Sequence, residues 1–461
     1  MSDFLEKSLK QNLHNLYQSG DLTGLIEVLN EMPVVEVALF LADLPIEESL
    51  FVLQQFEPKI QAHIFSDLNE RLQEDIIDLM TPRDFSKLLS NMLSDDRADV
   101  FKKLNVELQN KLLPFLTKQV REDILHLSSY KDGTAGSVMS SDFATITVDM
   151  TVEGALDKIR QDAPSKETIY YIYVVDDNMK LMGFISLKDL ILAKPEDGIK
   201  EMVVEEYSFA HVDDDQETVA KKIETYDLIA IPIVNSRHQI LGIVTHDDAI
   251  DILRQEQTED MEKFMGISGA HENYTYLRNS VFQHVKNRSV WLISLAILGI
   301  LSAFVIHQYE DILDSLVILA LYAPMLADAG GNCGSQAATV IIRALAIGEI
   351  RMVDWLKVVW KEFRIGFVMS FILGILAFLK VVFLSYGTEL PMGLSLTKVA
   401  LVISLAIALQ VVSSTSIGAL LPLTAKYFKF DPAVVASPAI TTFVDITGFL
   451  IYFSVTTYFL F

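Results

Sequence analysis

The 461-residue sequence contains one cysteine, Cys333. A single thiol excludes intrachain disulfides and any cysteine-based zinc site, and the chain need never meet an oxidising compartment. Met1–Lys10 has no apolar run behind a basic flank, so no cleavable signal peptide is expected. No nucleophile–base–orienter set and no phosphate loop can be picked out, so no enzyme activity is expected. Basic residues are scarce in the first 280 positions, where 26 Lys/Arg stand against 51 Asp/Glu for a net charge of −25. A surface that negative repels nucleic acid and anionic lipid and attracts cations. Residues 281–461 hold 11 basic and 10 acidic side chains, a net +1, so the acidity belongs wholly to the first part.

That second part is built of apolar runs of spanning length, roughly 20 residues each. Five are expected, at about 290–307, 315–341, 365–386, 399–423 and 432–460. Lys286 and Arg288 precede the first. The connection 308–314 carries three acids and no base, whereas the next carries Arg343, Arg351, Lys357, Lys361 and Arg364, and the fourth carries Lys426 and Lys429. Basic and non-basic connections alternate, which places the N-terminal part in the cytosol and the C-terminus outside the cell (inner) membrane.

The polar residues the spans tolerate point to a path for ions. Ser437, Thr441, Asp445 and Gly448 recur at helical spacing and fall on one face of the last run, with Pro438 positioned to free a backbone carbonyl nearby. Asp328, Asn332, Gln336 and Thr339 form a second stripe beside Gly330, Gly331, Gly334 and Ser335, and the fourth run adds Gln410, Ser413, Ser414 and Gly418. Small residues and amides also serve as helix–helix contacts in lipid, and that explanation covers the Ser and Gly positions. It does not cover Asp445, which has no base in its span; a buried unpaired carboxylate either binds a cation or stays protonated. Cys333 lies in the same Gly-rich segment and is expected to react with a hydrophilic thiol reagent if that segment faces water. Soft ligands are sparse near these acids, which disfavours transition metals. One or two carboxylates cannot encage calcium, but they suit magnesium, which sheds its waters reluctantly.

Residues 1 to about 130 carry a repeat near 12 residues, marked by Leu44-Pro-Ile-Glu, Phe56-Glu-Pro-Lys, Leu68-Asn-Glu-Arg, Met80-Thr-Pro-Arg, Leu93-Ser-Asp-Asp, Leu104-Asn-Val-Glu and Leu116-Thr-Lys-Gln. A large apolar residue, turn chemistry and an amphipathic run at this period imply an all-α helical-repeat superhelix. Residues 137–197 and 199–255 read as a tandem duplication of strand, turn, strand and helix start. Gly183, Ser186 and Asp189 in one copy match Gly242, Thr245 and Asp248 in the other. This resembles a pair of α/β cystathionine-β-synthase (CBS) modules. In such modules the hydroxyl and the acid hold a nucleotide ribose, so ATP or another adenine nucleotide could sit at Ser186/Asp189 or Thr245/Asp248. Equally, these residues could only cap the helix that follows. Asp251 to Tyr276 is charged and free of proline, and reads as a connecting helix with Glu256, Glu259 and Asp260 near one face and too few bases to pair them.

The order of parts is a helical repeat (1–130), tandem CBS modules (131–255), a connecting helix (251–280) and a five-helix membrane domain (281–461). With the strings Pro324-Met-Leu-Ala-Asp-Ala-Gly-Gly-Asn-Cys-Gly-Ser-Gln336, Arg343-Ala-Leu, Asp431-Pro-Ala and Asp445-Ile-Thr-Gly-Phe-Leu-Ile-Tyr452, the whole chain resembles the bacterial MgtE magnesium transporters. The resemblance implies a homodimer with its pore between the two membrane domains, Asp445 as the pore carboxylate for hydrated Mg2+ and Asp431 at the cytosolic entrance. Around them the polar stripes put Thr441, Ser437, Asn332 and Asp328. The resemblance further implies that intracellular Mg2+ closes the pore by bridging acids, the candidates being Asp95, Asp99, Asp215, Glu217, Asp227, Asp248, Asp251, Glu256, Glu259 and Asp260. Ser437 stands where some relatives have Asn, and Asp248 is wanted by both the metal and the nucleotide readings. The competing readings are a CBS-regulated transporter of Co2+ or Mn2+, a CBS-bearing chloride channel, and a membrane-anchored regulator that transports nothing. The pore acid speaks against the chloride channel.

Overall fold

The twelve-residue repeat is realised almost without slippage. Helices α1 (Leu22–Asn30), α2 (Val34–Ala42), α3 (Ile46–Leu53), α4 (Pro58–Asp67), α5 (Glu70–Leu79), α6 (Pro82–Asn91), α7 (Ser94–Lys103), α8 (Val106–Leu112) and α9 (Lys118–Leu127) each start twelve residues after the last. In this computed structural model the described residues are Leu13, 15–205, 207–267, 280–391, 393–434 and 437–461, the side chains of Val434 and Ser437 excepted. Asn69, Thr81, Asn105 and Thr117 cap their helices, each accepting the backbone N–H three residues on at 2.9–3.3 Å. Such caps stabilise a helix by about 1 kcal/mol. The residue before each cap is the apolar one, and Leu44, Phe56, Leu68, Met92 and Leu116 are all buried. The repeat therefore passes through Met92 rather than Leu93, the residue the sequence pattern suggested. Alternate helices pack on each other (α2 on α4, α3 on α5, α4 on α6, α6 on α8, α7 on α9), giving one continuous apolar core.

The CBS modules share one topology. In the first, β1 (Phe143–Thr147) runs parallel to β2 (Thr168–Val175), which is antiparallel to β3 (Leu181–Ser186). In the second, β4 (Ala210–His211), β5 (Ala230–Val234) and β6 (Ile240–Thr245) repeat that order. The crossovers are α10 (Val152–Asp162) and α12 (Gln216–Tyr226), and the strands are followed by α11 (Leu187–Leu192) and α13 (His246–Phe264). The motif glycine Gly242 is required by close approach, since a Cβ there would lie 2.6 Å from the Ser140 carbonyl oxygen. The long helix α13 starts in the second module itself, five residues earlier than the sequence reading placed a connecting helix. Residues 268–279, which that reading included, lie outside the described residues.

The chain divides into two units, Met1–Glu256 with Asn273–Arg278, and Gln257–Glu272 with Asn279–Phe461. The second is a bundle of α14 (Val281–Gln308), α15 (Ile318–Ala346), α16 (Trp355–Leu384), α17 (Leu396–Tyr427) and α18 (Ser437–Leu460). Four of these, α14, α16, α17 and α18, are long and apolar enough to cross a membrane. At 29 residues α15 has the length but carries the polar stripe. The helices overrun the apolar stretches at several ends because helical hydrogen bonding does not stop at the hydrocarbon boundary. α18 begins at Ser437 after a short 3₁₀ turn at Pro432–Val434, not at 432. Pro438 thus sits in the first turn, where its missing N–H is no loss, and frees no carbonyl beside Asp445. α17 is the hub, packing on α15, α16 and α18.

Cys333 lies on the buried side of α15, 5 % exposed, in the apolar core that also holds Leu326, Ile407 and Val411. The condition set from sequence, that this segment faces water, is not met at Cys333. A membrane-impermeant maleimide should leave Cys333 unlabelled whether Mg2+ is present or chelated, as read by mass shift. Rapid labelling would mean that α15 presents the opposite face.

Candidate metal centre and pore

Three carboxylates converge where the repeat meets the CBS modules. Asp95, Glu167 and Asp248 each place an oxygen within 4.8 Å of the other two. Asp95 is in the first turn of α7, a helix whose own N-cap position is Leu93 and offers no side-chain acceptor. Its first N–H, that of Ser94, donates instead to Asp142 Oδ2 at 3.0 Å, and the Ser141 N–H donates to Ser94 Oγ at 2.8 Å. Arg97 closes the joint by donating to Asp123 at 2.5 Å, while Asp123 accepts the Ser141 hydroxyl at 2.8 Å. The CBS module therefore caps the repeat helix, and that docking delivers Asp95. Glu167 is the residue before β2, held by its N–H donating to the Asp142 carbonyl at 2.9 Å. Asp248 lies in the first turn of α13 and accepts the Thr245 hydroxyl at 2.5 Å.

Three like charges this close oppose one another by about 4 kcal/mol per pair at an effective dielectric near 20. Burial, reinforced by Glu167 and Asp248, pushes Asp95 well above the usual carboxylate range. Burial lifts Glu167 to about 7, against the pull of the Ser140 hydroxyl and with Asp248 adding to the rise. Burial lifts Asp248 to about 6, opposed by Thr245. Asp95 Oδ1 and Glu167 Oε2 are buried with no hydrogen-bond partner among the described residues. Orphaned acceptors in an all-oxygen set fit a hard divalent cation, which would satisfy them and cancel the repulsion.

Other acids proposed from sequence stand apart from this triad. Asp99, one turn beyond Asp95, is outside the triad, and burial lifts its carboxyl to about 6. Asp215 caps α12 by accepting the Thr218 N–H at 3.0 Å, Glu217 pairs with Lys221 at 2.5 Å, and Asp227 ends that helix with φ 51°. Asp251 pairs with Arg254 at 3.3 Å, and Glu256 accepts from Gln216 at 2.7 Å. Glu259 pairs with Lys263 at 2.9 Å, and the same ammonium lies 3.5 Å from Asp431. The connecting-helix acids are thus better partnered than composition suggested; Asp260 lies on the same helix. Glu167 was missed because nothing adjacent to it in sequence marks it; its role appears only when β2 is placed beside α7. The motif hydroxyls and acids bond each other, Ser186 to Asp189 at 2.6 Å as well as Thr245 to Asp248, with Ser186 capping α11.

In the bundle, Asp328, Asn332, Gln336 and Thr339 are all exposed along one face of α15, while Gly330, Gly331 and Gly334 on the other side admit α17 and α18. Asp328 accepts from Asn332 at 2.9 Å within its own helix. Thr441 packs on Gly331, where a Cβ would come within 3.0 Å of its methyl. One turn on, Asp445 Oδ1 is buried without a hydrogen-bond partner among the described residues. Ser437 begins α18, but its side chain lies outside the described residues.

A helical repeat docked on paired CBS modules, followed by apolar helices of spanning length, defines a membrane protein with a large part outside its apolar helices. Models of the divalent cation transporter family MgtE match residues 323–455, of the MgtE intracellular N domain residues 32–133, and of the CBS domain residues 135–196 and 199–255. The magnesium transporter MgtE of Thermus thermophilus is 32 % identical over 98 % of this chain and 98 % of its own. That of Bacillus subtilis is 29 % identical over 96 % of each. The crystal structure of the cytosolic domain of the Mg2+ channel MgtE in complex with ATP superposes with a TM-score of 0.50 at 31 % identity, covering 53 % of this chain and 99 % of that one. The chain belongs to the MgtE family of divalent cation transporters.

Proposed function

We propose that this protein conducts Mg2+ into the cell as a homodimer and that cytosolic Mg2+ closes it. The observation that carries the proposal is the exposed stripe of α15 beside Asp445. An acid and two amides facing hydrocarbon would each cost several kcal/mol, so in the membrane they face water or a second copy. A pore between two copies gives them both. Asp445, supported by Thr441, Ser437, Asn332 and Asp328, is the ion-selecting carboxylate. Asp431 stands at the cytosolic entrance, the N-terminal part is cytosolic and the C-terminus outside.

In the cytosolic unit Asp95, Glu167 and Asp248 hold the regulatory ion, which supplies the positive charge that draws the repeat and the CBS modules together. Asp99, Asp215, Glu217, Asp227, Asp251, Glu256, Glu259 and Asp260 form the acidic surround. Because Asp248 is committed to the triad, an adenine nucleotide is assigned to the exposed Ser186/Asp189 pair. Neutralising Glu256, Glu259 and Asp260 together should shift closure several-fold to higher Mg2+. Closure at lower Mg2+ would mean that these acids hold the gate open by repulsion. The proposal as a whole is tested by Mg2+ uptake into proteoliposomes containing the full chain, with Co2+, Mn2+ and Cl⁻ compared in the same assay. Uptake of Mg2+ is expected; uptake of Co2+ or Mn2+ without Mg2+, or of no ion, would overturn it.

A further inference from the structure

Deep in the bundle, the hub helix α17 sends one amide between its neighbours. Gln410 is fully buried, and its Nε2 donates to the carbonyl of Val444, the residue before Asp445, at 2.8 Å. Room for that amide exists only because two facing positions are glycine. A Cβ at Gly330 of α15 or at Gly448 of α18 would lie 2.5 Å from Gln410 Nε2, and at Gly448 also 2.8 Å from its Cδ. One turn along α17, the Ser414 hydroxyl donates to the Gly330 carbonyl at 2.5 Å, so α15 and α18 are both tied to the same stretch of the hub. The other end of the amide, Oε1, is buried with no hydrogen-bond partner among the described residues.

An unsatisfied buried acceptor is unfavourable by about 1–3 kcal/mol, and a leucine of similar size would avoid it. Retaining the amide is therefore hard to explain by packing alone. Its donor fixes both the rotation and the axial position of α18 at the peptide that carries the Asp445 side chain. Rotating a helix by one residue turns a side chain by about 100°, enough to take a carboxylate off a pore-facing stripe. We propose that Gln410 is a positioning residue that holds Asp445 towards the ion path. The proposal rests on the reading of Asp445 as the pore carboxylate.

The test uses full-length protein in proteoliposomes, with Mg2+ flux measured against Mg2+ concentration and with Ca2+ as competitor. Gln410→Leu keeps the volume and removes the donor; Gln410→Met serves where the Leu variant does not accumulate. Expected is a rise of at least about fivefold in the half-saturating Mg2+ concentration and a fall in Mg2+ over Ca2+ discrimination, with maximal flux per folded dimer changed less. Gly448→Ala should mimic this, and in a Gln410→Ala background it should add less than about twofold, because the group it displaces is gone. Unchanged half-saturation and discrimination in Gln410→Leu and Gln410→Met, or additive losses in the double variant, would overturn the proposal. Asp445→Asn in the same assay separates the two readings. If it conducts normally the pore reading fails, whereas if it is inactive and the Gln410 variants are normal only the positioning role fails.

Discussion

Asp445→Asn should lower Mg2+ flux by up to about a thousandfold while leaving expression, membrane insertion and dimerisation intact. The carboxylate is the one acidic side chain in α18, its Oδ1 is buried without a protein partner among the described residues, and no base shares its helix. An amide keeps the shape and removes the charge. At an effective dielectric near 20 that charge is worth about 4 kcal/mol to a cation a few ångströms away, and each ~1.4 kcal/mol is a factor of ten. Flux into vesicles, normalised to dimer recovered by size exclusion, measures the effect. Asp328→Asn is the comparison. Its carboxylate is already held by Asn332 and exposed, so its loss should be smaller, within about tenfold. If the two were reversed, the ion would take its main contact from α15.

The second large effect is on closure. Asp95→Asn, Glu167→Gln and Asp248→Asn together should leave the channel open at cytosolic Mg2+ concentrations that shut the wild type. The variant should also make the ion-free protein tighter, because the repulsion is removed along with the ligands. The sign with pH follows from burial. The folded-state pKa values of Glu167 and Asp248 are raised, to about 7 and about 6, so the assembled junction without metal is most stable where these groups are protonated. That stability is present below the ordinary carboxylate range near pH 4, falls as pH rises through about 4 to 7, and is gone above it. Amide exchange over α7 and β2 of the full-length protein in chelator, divided by the intrinsic base-catalysed rate at each pH, should therefore be slow at pH 5 and fast at pH 8. At pH 8, Mg2+ should slow it in the wild type but not in the triple variant. Protection in chelator that did not change between pH 5 and 8 would show that the triad is not under electrostatic strain.

Much of this was legible in the sequence where one residue type at a fixed spacing has one physical meaning. The twelve-residue rhythm could be read because each turn needs an apolar plug and a capping side chain. It slipped by one at Leu93 because there the cap is supplied by Asp142, from another domain. The CBS duplication could be read from matched strands and the Gly, hydroxyl and acid offsets. The polar stripes could be read because charged or amide side chains in an apolar run are conspicuous. What could not be read is pairing across the fold. Glu167 is an ordinary acid until β2 sets it against α7, and the acids of α13 look unpaired until Lys263 and Gln216 reach them. Cys333 shares a glycine-rich string with the exposed polar residues of α15, yet helical geometry turns it into the core. Gln410 was visible as a polar residue in a span, but its contact with the Val444 carbonyl needed two glycines on separate helices.

The central claim is that one ion both permeates past Asp445 and closes the path by binding Asp95, Glu167 and Asp248. Single-channel or vesicle flux recorded while Mg2+ is stepped on the cytosolic face alone tests it most directly. The account predicts that conduction falls to near zero as cytosolic Mg2+ rises in the wild type, and persists in the triad variant with unchanged unitary flux. Equal sensitivity to cytosolic Mg2+ in the two proteins, or closure that does not depend on the ion, would contradict it.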